Sequence, residues 1–218
     1  MAVCIVDSGI SDIIPINGTS FFKGVQSSTF QDDVGHGTMV AKTILEYSVV
    51  SFFICKFLQN NYSGTNLDFS LCIQWCIKQN VSIINCSVGT FNYNQLMEAS
   101  IQNALHFNIM VIASAGNYAS NINIYPFYPA SFQGVVSVSA LTNNTHKLLI
   151  DSNYEADLGS IGETTFLFHN TSLFATGTSV ATARVTGLAC KYYIYTNTLL
   201  FQKSVPTINL NLTYGILV

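Results

Sequence analysis

The chain has 218 residues, 11 of them acidic and 8 Lys or Arg, for a formal net charge of -3. Charged residues make up 9% and hydrophobic residues 49%, against about 25% charged in an ordinary globular chain; disorder, which needs high charge and low hydrophobicity, is excluded. The cations are scattered singly, which argues against nucleic-acid binding, because neutralising phosphates takes clustered Lys and Arg.

Ala2–Val6 is a short apolar run and predicts a strand. Gly37–Tyr47 sets Val40, Ile44 and Leu45 on one face and predicts a helix. Val49–Phe57 predicts a strand. Asp68–Gln79 keeps Phe69, Cys72, Ile73 and Cys76 at 3/4 spacing and predicts a helix. Val81–Cys86 reads as a strand, Asn94–Phe107 as a helix, Ile109–Ala113 and Val135–Ser139 as strands, and Thr178–Tyr195 as a helix. The unbroken apolar runs suit strands buried on both faces. Strand and helix alternate, which implies a parallel α/β sheet with right-handed crossovers. One domain spanning residues 1–218 is expected.

The apolar composition raises the question of a membrane. No charge occurs between Glu98 and Lys147, yet Asn103, His106, Asn108, Asn117, Asn121, Pro126 and Pro129 interrupt that stretch. Its densest apolar run, Ile109–Ala115, is far short of the ~20 residues a spanning helix needs. No membrane span is expected. The opening Met-Ala-Val-Cys-Ile-Val-Asp offers no basic region, no long apolar core and no small-residue cleavage site, so no export signal is expected either. Cys4, Cys55, Cys72, Cys76, Cys86 and Cys190 all sit in apolar contexts and read as reduced, buried thiols, which fits a cytoplasmic protein. Cys72 and Cys76 read as core packing rather than a metal pair, because no His stands at a ligand spacing.

Active sites in parallel α/β sheets lie at the carboxyl ends of the strands, and the residues there are distinctive. Asp7-Ser8-Gly9 follows the first strand, and Gly35-His36-Gly37-Thr38 opens the next helix. Asn85-Cys86-Ser87-Val88-Gly89 ends the strand at 81. Ser114-Ala115-Gly116-Asn117 follows the strand at 109, and Gly177-Thr178-Ser179-Val180-Ala181 opens the last long helix. Each piece alone has an ordinary reading as a cap or loop. Together they place a carboxylate, an imidazole and a hydroxyl beside glycines that permit close approach.

In this order, Asp-Ser-Gly, His-Gly-Thr, Ala-Gly-Asn and Gly-Thr-Ser-x-Ala resemble the signature blocks of the subtilisin-like serine proteases, the subtilases, over about Ala2 to Tyr193. The chain order Asp, then His, then Ser is also the order of that family's catalytic triad. The resemblance implies a three-layer α/β fold with a mostly parallel central sheet, no cofactor, and a peptide or protein substrate. It implies Ser179 as nucleophile, His36 as general base, Asp7 as its orienting carboxylate, and Asn117 as oxyanion-hole donor. It further implies that Ser87-Val88-Gly89 pairs with the substrate backbone. That segment would form one wall of S1, the pocket for the residue supplying the acyl carbonyl (P1), and Ala113-Ser114-Ala115-Gly116 the other. Phe69 and Val88 would line S4. Phe127 falls where many members carry glycine, implying a shallow S1.

The chain departs from the family in three places. Only six residues precede Asp7, and neither a signal nor a pro-domain is expected. The connection Glu46–Val49 leaves no room for the family's calcium loop, so no metal is expected. Ala183 stands where the serine block usually has proline. Such a minimal form suggests a dedicated peptide-processing enzyme, by analogy with subtilases that remove leader peptides. General turnover, a non-catalytic subtilase-fold binding protein and a transpeptidase stay open. Sparse charge implies exposed apolar surface, and with it an oligomer or a covering partner. Asp32 and Asp33 read as a polar turn, or else as an acidic wall beside the site.

Overall fold

The computed structural model describes residues 1–196 and 215–216; the rest of the expected 1–218 domain lies outside the described residues. Strands β1 (Ala2–Asp7), β2 (Asn17–Phe22), β3 (Val25–Ser27), β4 (Ser51–Lys56), β5 (Ile83–Cys86), β6 (Met110–Ser114), β7 (Val136–Leu141) and β8 (Leu158–Ile161) share one sheet. The two-residue strand β11 (Gly215–Ile216) extends it. The order is β11-β8-β7-β6-β5-β1-β4-β2-β3, and every pairing is parallel except β2 with β3. A separate antiparallel hairpin, β9 (Glu163–Phe168) and β10 (Thr171–Thr176), precedes the last helix.

Among the described residues, four helices cover the sheet: α1 (His36–Leu45), α2 (Asn66–Lys78), α3 (Gln95–His106) and α4 (Thr178–Thr196). Alternation along β1 divides the core. Cys4 and Val6 point into one cluster with Phe69, Ile73 and Ile101 of α2 and α3. Val3 and Ile5 point into another with Val40, Ile44, Val180 and Val185 of α1 and α4. A strand buried on both faces has to be apolar at every position, which is why these runs are so legible. The result is the expected three-layer α/β fold with a mostly parallel sheet. None of the described helices is long and apolar enough to cross a membrane.

Local chemistry fixes the helix starts. Thr65 Oγ1 accepts the Asp68 backbone N–H at 3.0 Å and donates to Asp68 Oδ2 at 2.7 Å. Asn94 Oδ1 accepts the Met97 N–H at 3.0 Å. Both satisfy N–H groups that the first turn leaves without partners. Asp68 also takes the Lys23 and Gly24 N–H groups, so α2 holds the β2–β3 turn.

The cysteine expectation is corrected here. Cys4 of β1 is bonded to Cys76, and Cys55 of β4 to Cys72, both partners on α2; Cys86 and Cys190 are free and buried. Burial was legible from the apolar surroundings, but oxidation state was not. Surroundings reveal only depth, whereas pairing depends on which strand lies under which turn of α2. The support that reduced thiols lent to a cytoplasmic location falls away with this correction.

Candidate active site

The end of β1 and the start of α1 meet because Gly37 has no side chain. A Cβ there would lie 2.2 Å from the Gly9 carbonyl oxygen, so another residue would push the helix away. The close approach brings His36 Nδ1 to 2.7 Å from Asp7 Oδ1, which also takes the Ser8 N–H at 2.7 Å. Asp7 is fully buried, while the His36 side chain is 20% exposed. Burial acts to lower the His36 pKa, but the charge and hydrogen bond of Asp7, with the charge of Asp32, outweigh it and hold the imidazole above its usual 6.5.

Asp32 is the anchor of this corner. Its carboxylate accepts hydrogen bonds from Ser8 Oγ (2.9 Å), the Val34, Gly35 and Thr38 N–H groups (3.0, 2.8 and 2.9 Å) and Thr38 Oγ1 (2.6 Å). Ser8 Oγ in turn accepts the Gly37 N–H at 3.0 Å. Burial acts to raise the Asp32 pKa, yet the bonds from Thr38, Gly35 and Val34 leave it below the usual 3.8. Asp33 pairs with Lys56 Nζ at 2.6 Å. Neither of them lines the cleft that opens beside His36.

Ser179 lies in the first turn of α4, half-buried, where the positive helix end favours developing negative charge. Its hydroxyl donates to the Ser87 carbonyl at 2.9 Å rather than to His36. A polar thread ties this turn to the end of β5: Ser87 Oγ donates to Asn85 Oδ1 (3.0 Å) and approaches the Ser179 carbonyl (3.1 Å), while Asn85 Nδ2 donates to Thr186 Oγ1 (2.8 Å). Asn117 is exposed beside it. Its Oδ1 accepts the Thr178 N–H at 2.9 Å and Thr178 Oγ1 at 3.0 Å, which caps α4 from a neighbouring loop. With the carbonyl so engaged, the amide Nδ2 is left as a donor.

Asn153 was not foreseen. Fully buried, it donates from Nδ2 to the Ala115 carbonyl and accepts the Tyr118 and Ser120 N–H groups on Oδ1. The loop holding Asn117 is therefore clamped from both sides. An isolated Asn in a polar stretch carries no signal of this in the sequence.

A cleft of about 310 Å³ opens beside His36, lined by Phe57, Tyr62, Phe69, Ser87, Val88, Gly89 and Met97 among others. Phe69 and Val88 thus share it with His36, and the Tyr62 ring stands nearly perpendicular to the imidazole, centroids 6.3 Å apart. Ala113, Ser114, Ala115 and Gly116 are buried along and just beyond β6, and Phe127 packs against Ala115 and Ile122. Arg184 donates to the Glu163 carbonyl and does not line the cleft.

A parallel α/β sheet with an Asp–His pair at its carboxyl edge and a serine in the first turn of a helix is the layout that serine hydrolases use. The chain belongs to the subtilase family, whose pattern matches residues 1–197. Among curated proteins it is 29% identical to the thermostable alkaline protease of Halalkalibacterium halodurans, over 97% of this chain and 62% of that protein. Subtilisin DY of Bacillus licheniformis is likewise 29% identical, over 86% of this chain and 74% of its own length. For subtilisin E of Bacillus subtilis the figures are 29%, 86% and 54%. The chain thus spans between about half and three quarters of these relatives.

Proposed function

We propose that the chain is a serine endopeptidase that cleaves peptide bonds through an acyl-enzyme. In this reading the Ser179 hydroxyl rotates from the Ser87 carbonyl toward His36, which takes its proton as the oxygen attacks the substrate carbonyl. Asp7 holds the tautomer and stabilises the imidazolium. Asn117 Nδ2 and the Ser179 N–H hold the oxyanion. His36 then hands the proton to the leaving amine, and water completes the hydrolysis. The observation that carries the reading is the His36–Asp7 bond of 2.7 Å at the mouth of a substrate-sized cleft. The names of the relatives, proteases and subtilisins, support it.

The substrate strand is assigned to Ser87–Gly89, where backbone pairing gives affinity without regard to sequence. Both proposed S1 walls, Ser87–Gly89 and Ala113–Gly116, are uncharged. A charged P1 side chain would lose several kcal/mol of solvation without a counter-ion. Phe69 and Val88 would favour an apolar residue in S4. A dedicated peptide-processing role, such as leader removal, is proposed by analogy with minimal subtilases, with general turnover as its competitor.

A fluorophosphonate probe provides the test. It should label the wild-type protein at Ser179 and leave Ser179→Ala unlabelled, with peptide cleavage lost in step. Absence of labelling in the folded wild type would leave the non-catalytic binding protein as the better reading.

A further inference from the structure

Phe127 occupies the space between the two segments assigned as S1 walls. An added Cβ at Gly89 would lie 2.2 Å from Phe127 Cε1 and 2.8 Å from Cδ1, and one at Gly116 would lie 3.0 Å from both atoms. One edge of one ring therefore touches both walls. The ring is 4% exposed. Its backbone is fixed: the Phe127 N–H donates to Ser131 Oγ at 2.9 Å, and Tyr128 exchanges two 2.8 Å hydrogen bonds with Thr90. Two further rings close over it, Phe91 at 5.1 Å and Tyr118 at 5.8 Å between centroids, with 4.9 Å between those two. Neither Phe127 nor Gly116 lines the open cleft, which extends instead from His36 toward Phe69 and Met97. In the endopeptidase reading, that cleft offers its room to side chains upstream of the bond to be cut.

Resting on the endopeptidase reading above, we infer that Phe127 is a built-in plug of the P1 pocket, so that the substrates are peptides with glycine, alanine or serine at P1. A larger P1 side chain would need the volume this ring already fills, and a packed core does not yield a ring's volume without displacing its neighbours. A site with this plug reads the P1 residue by exclusion and leaves positive recognition to residues further upstream.

The test measures kcat/KM for a peptide series differing only in P1: Gly, Ala, Ser, Leu and Phe. The wild type, Phe127→Ala and Phe127→Leu are compared, each normalised to active serines by fluorophosphonate titration. The wild type should favour Ala over Phe at P1 by about 10²-fold, the scale on which pocket volume discriminates apolar side chains. Phe127→Ala should shift the Phe-to-Ala ratio upward by about the same factor, with Phe127→Leu between the two. A wild-type preference for Leu or Phe at P1 would overturn the inference even if neither variant folds. So would a P1 ratio unmoved in variants that still label. Failure of the wild type to label at all would instead sink the endopeptidase reading beneath it.

Discussion

Two side chains at the site carry more than one duty, and experiment can separate the duties. In the proposed mechanism His36 must be neutral to accept the Ser179 proton, and its pKa is held above 6.5 by Asp7 and Asp32 despite the opposing effect of burial. Activity should therefore fall as pH drops through a midpoint above 6.5 in kcat/KM; a midpoint at or below 6.5 would contradict the assigned base. Asn117 caps α4 through Oδ1 and, in the proposed mechanism, would serve the oxyanion through Nδ2. Asn117→Ala should lower kcat by ~10²–10³ and also lose about 1 kcal/mol of cap. Asn117→Asp keeps the acceptor and removes the donor, so it should lose the turnover while keeping the melting temperature. A destabilised Asn117→Asp would show that the cap was misassigned. Asn117 was legible from its Ala-Gly-Asn block, whereas Asn153, which clamps the same loop, was not. What distinguishes Asn153 is its burial against Ala115, Tyr118 and Ser120, and that exists only once the chain has folded.

Between elements, two fastenings stand out. The first is Asp32, whose five hydrogen bonds join the end of β1 to the start of α1. Its folded pKa lies below 3.8, so its ionised form stabilises the fold above that pH, and the contribution is lost as pH falls through the depressed value. Acid titration of the melting temperature should show this loss beginning below pH 3.8, and Asp32→Asn should flatten the slope while lowering stability at neutral pH. The second is the pair of disulfides on α2, closing 72 and 17 residues. By loop-closure entropy they are worth about 4 and about 3 kcal/mol. Cys4→Ala/Cys76→Ala should therefore lower the melting temperature more than Cys55→Ala/Cys72→Ala, and a reductant should lower it in the wild type. Melting unaffected by reductant would show that the cysteines are not paired in solution.

Across the whole molecule, legibility followed burial. The strands at β1, β4, β5, β6 and β7 and all four helices were readable because core on both faces forces continuous apolar runs, and helices on one face force a 3/4 spacing. Of the missed elements, β3, β9 and β10 lack that pressure, while β2 is buried at its four central residues and was hidden by its composition. β2 opens with Asn17-Gly18, which reads as a turn; β3 is three exposed residues at a sheet edge. The β9–β10 hairpin is largely exposed and turns at His169 and Asn170, both in left-handed conformation. Its pairing is decided by the partner strand and not by any pattern within one segment. The family signature blocks were readable because each carries its own glycine punctuation. For Phe127 the sequence offered only a single substituted glycine position, and packing alone shows that the ring lies against both Gly89 and Gly116.

The covalent links lie on one side of the sheet only. Both run to α2, while α1 and α4, which bring His36 and Ser179, are held by packing, hydrogen bonds and ion pairs, with no covalent link. The oxidised chain is thus a laminate with one riveted face. Amide hydrogen exchange should distinguish the faces: α2 should keep its protection when denaturant first loosens the molecule, and α1 and α4 should open as the earlier cooperative unit. The chemistry would be extinguished while half of the scaffold still stood, and the riveted half would remain as a template onto which the other could refold.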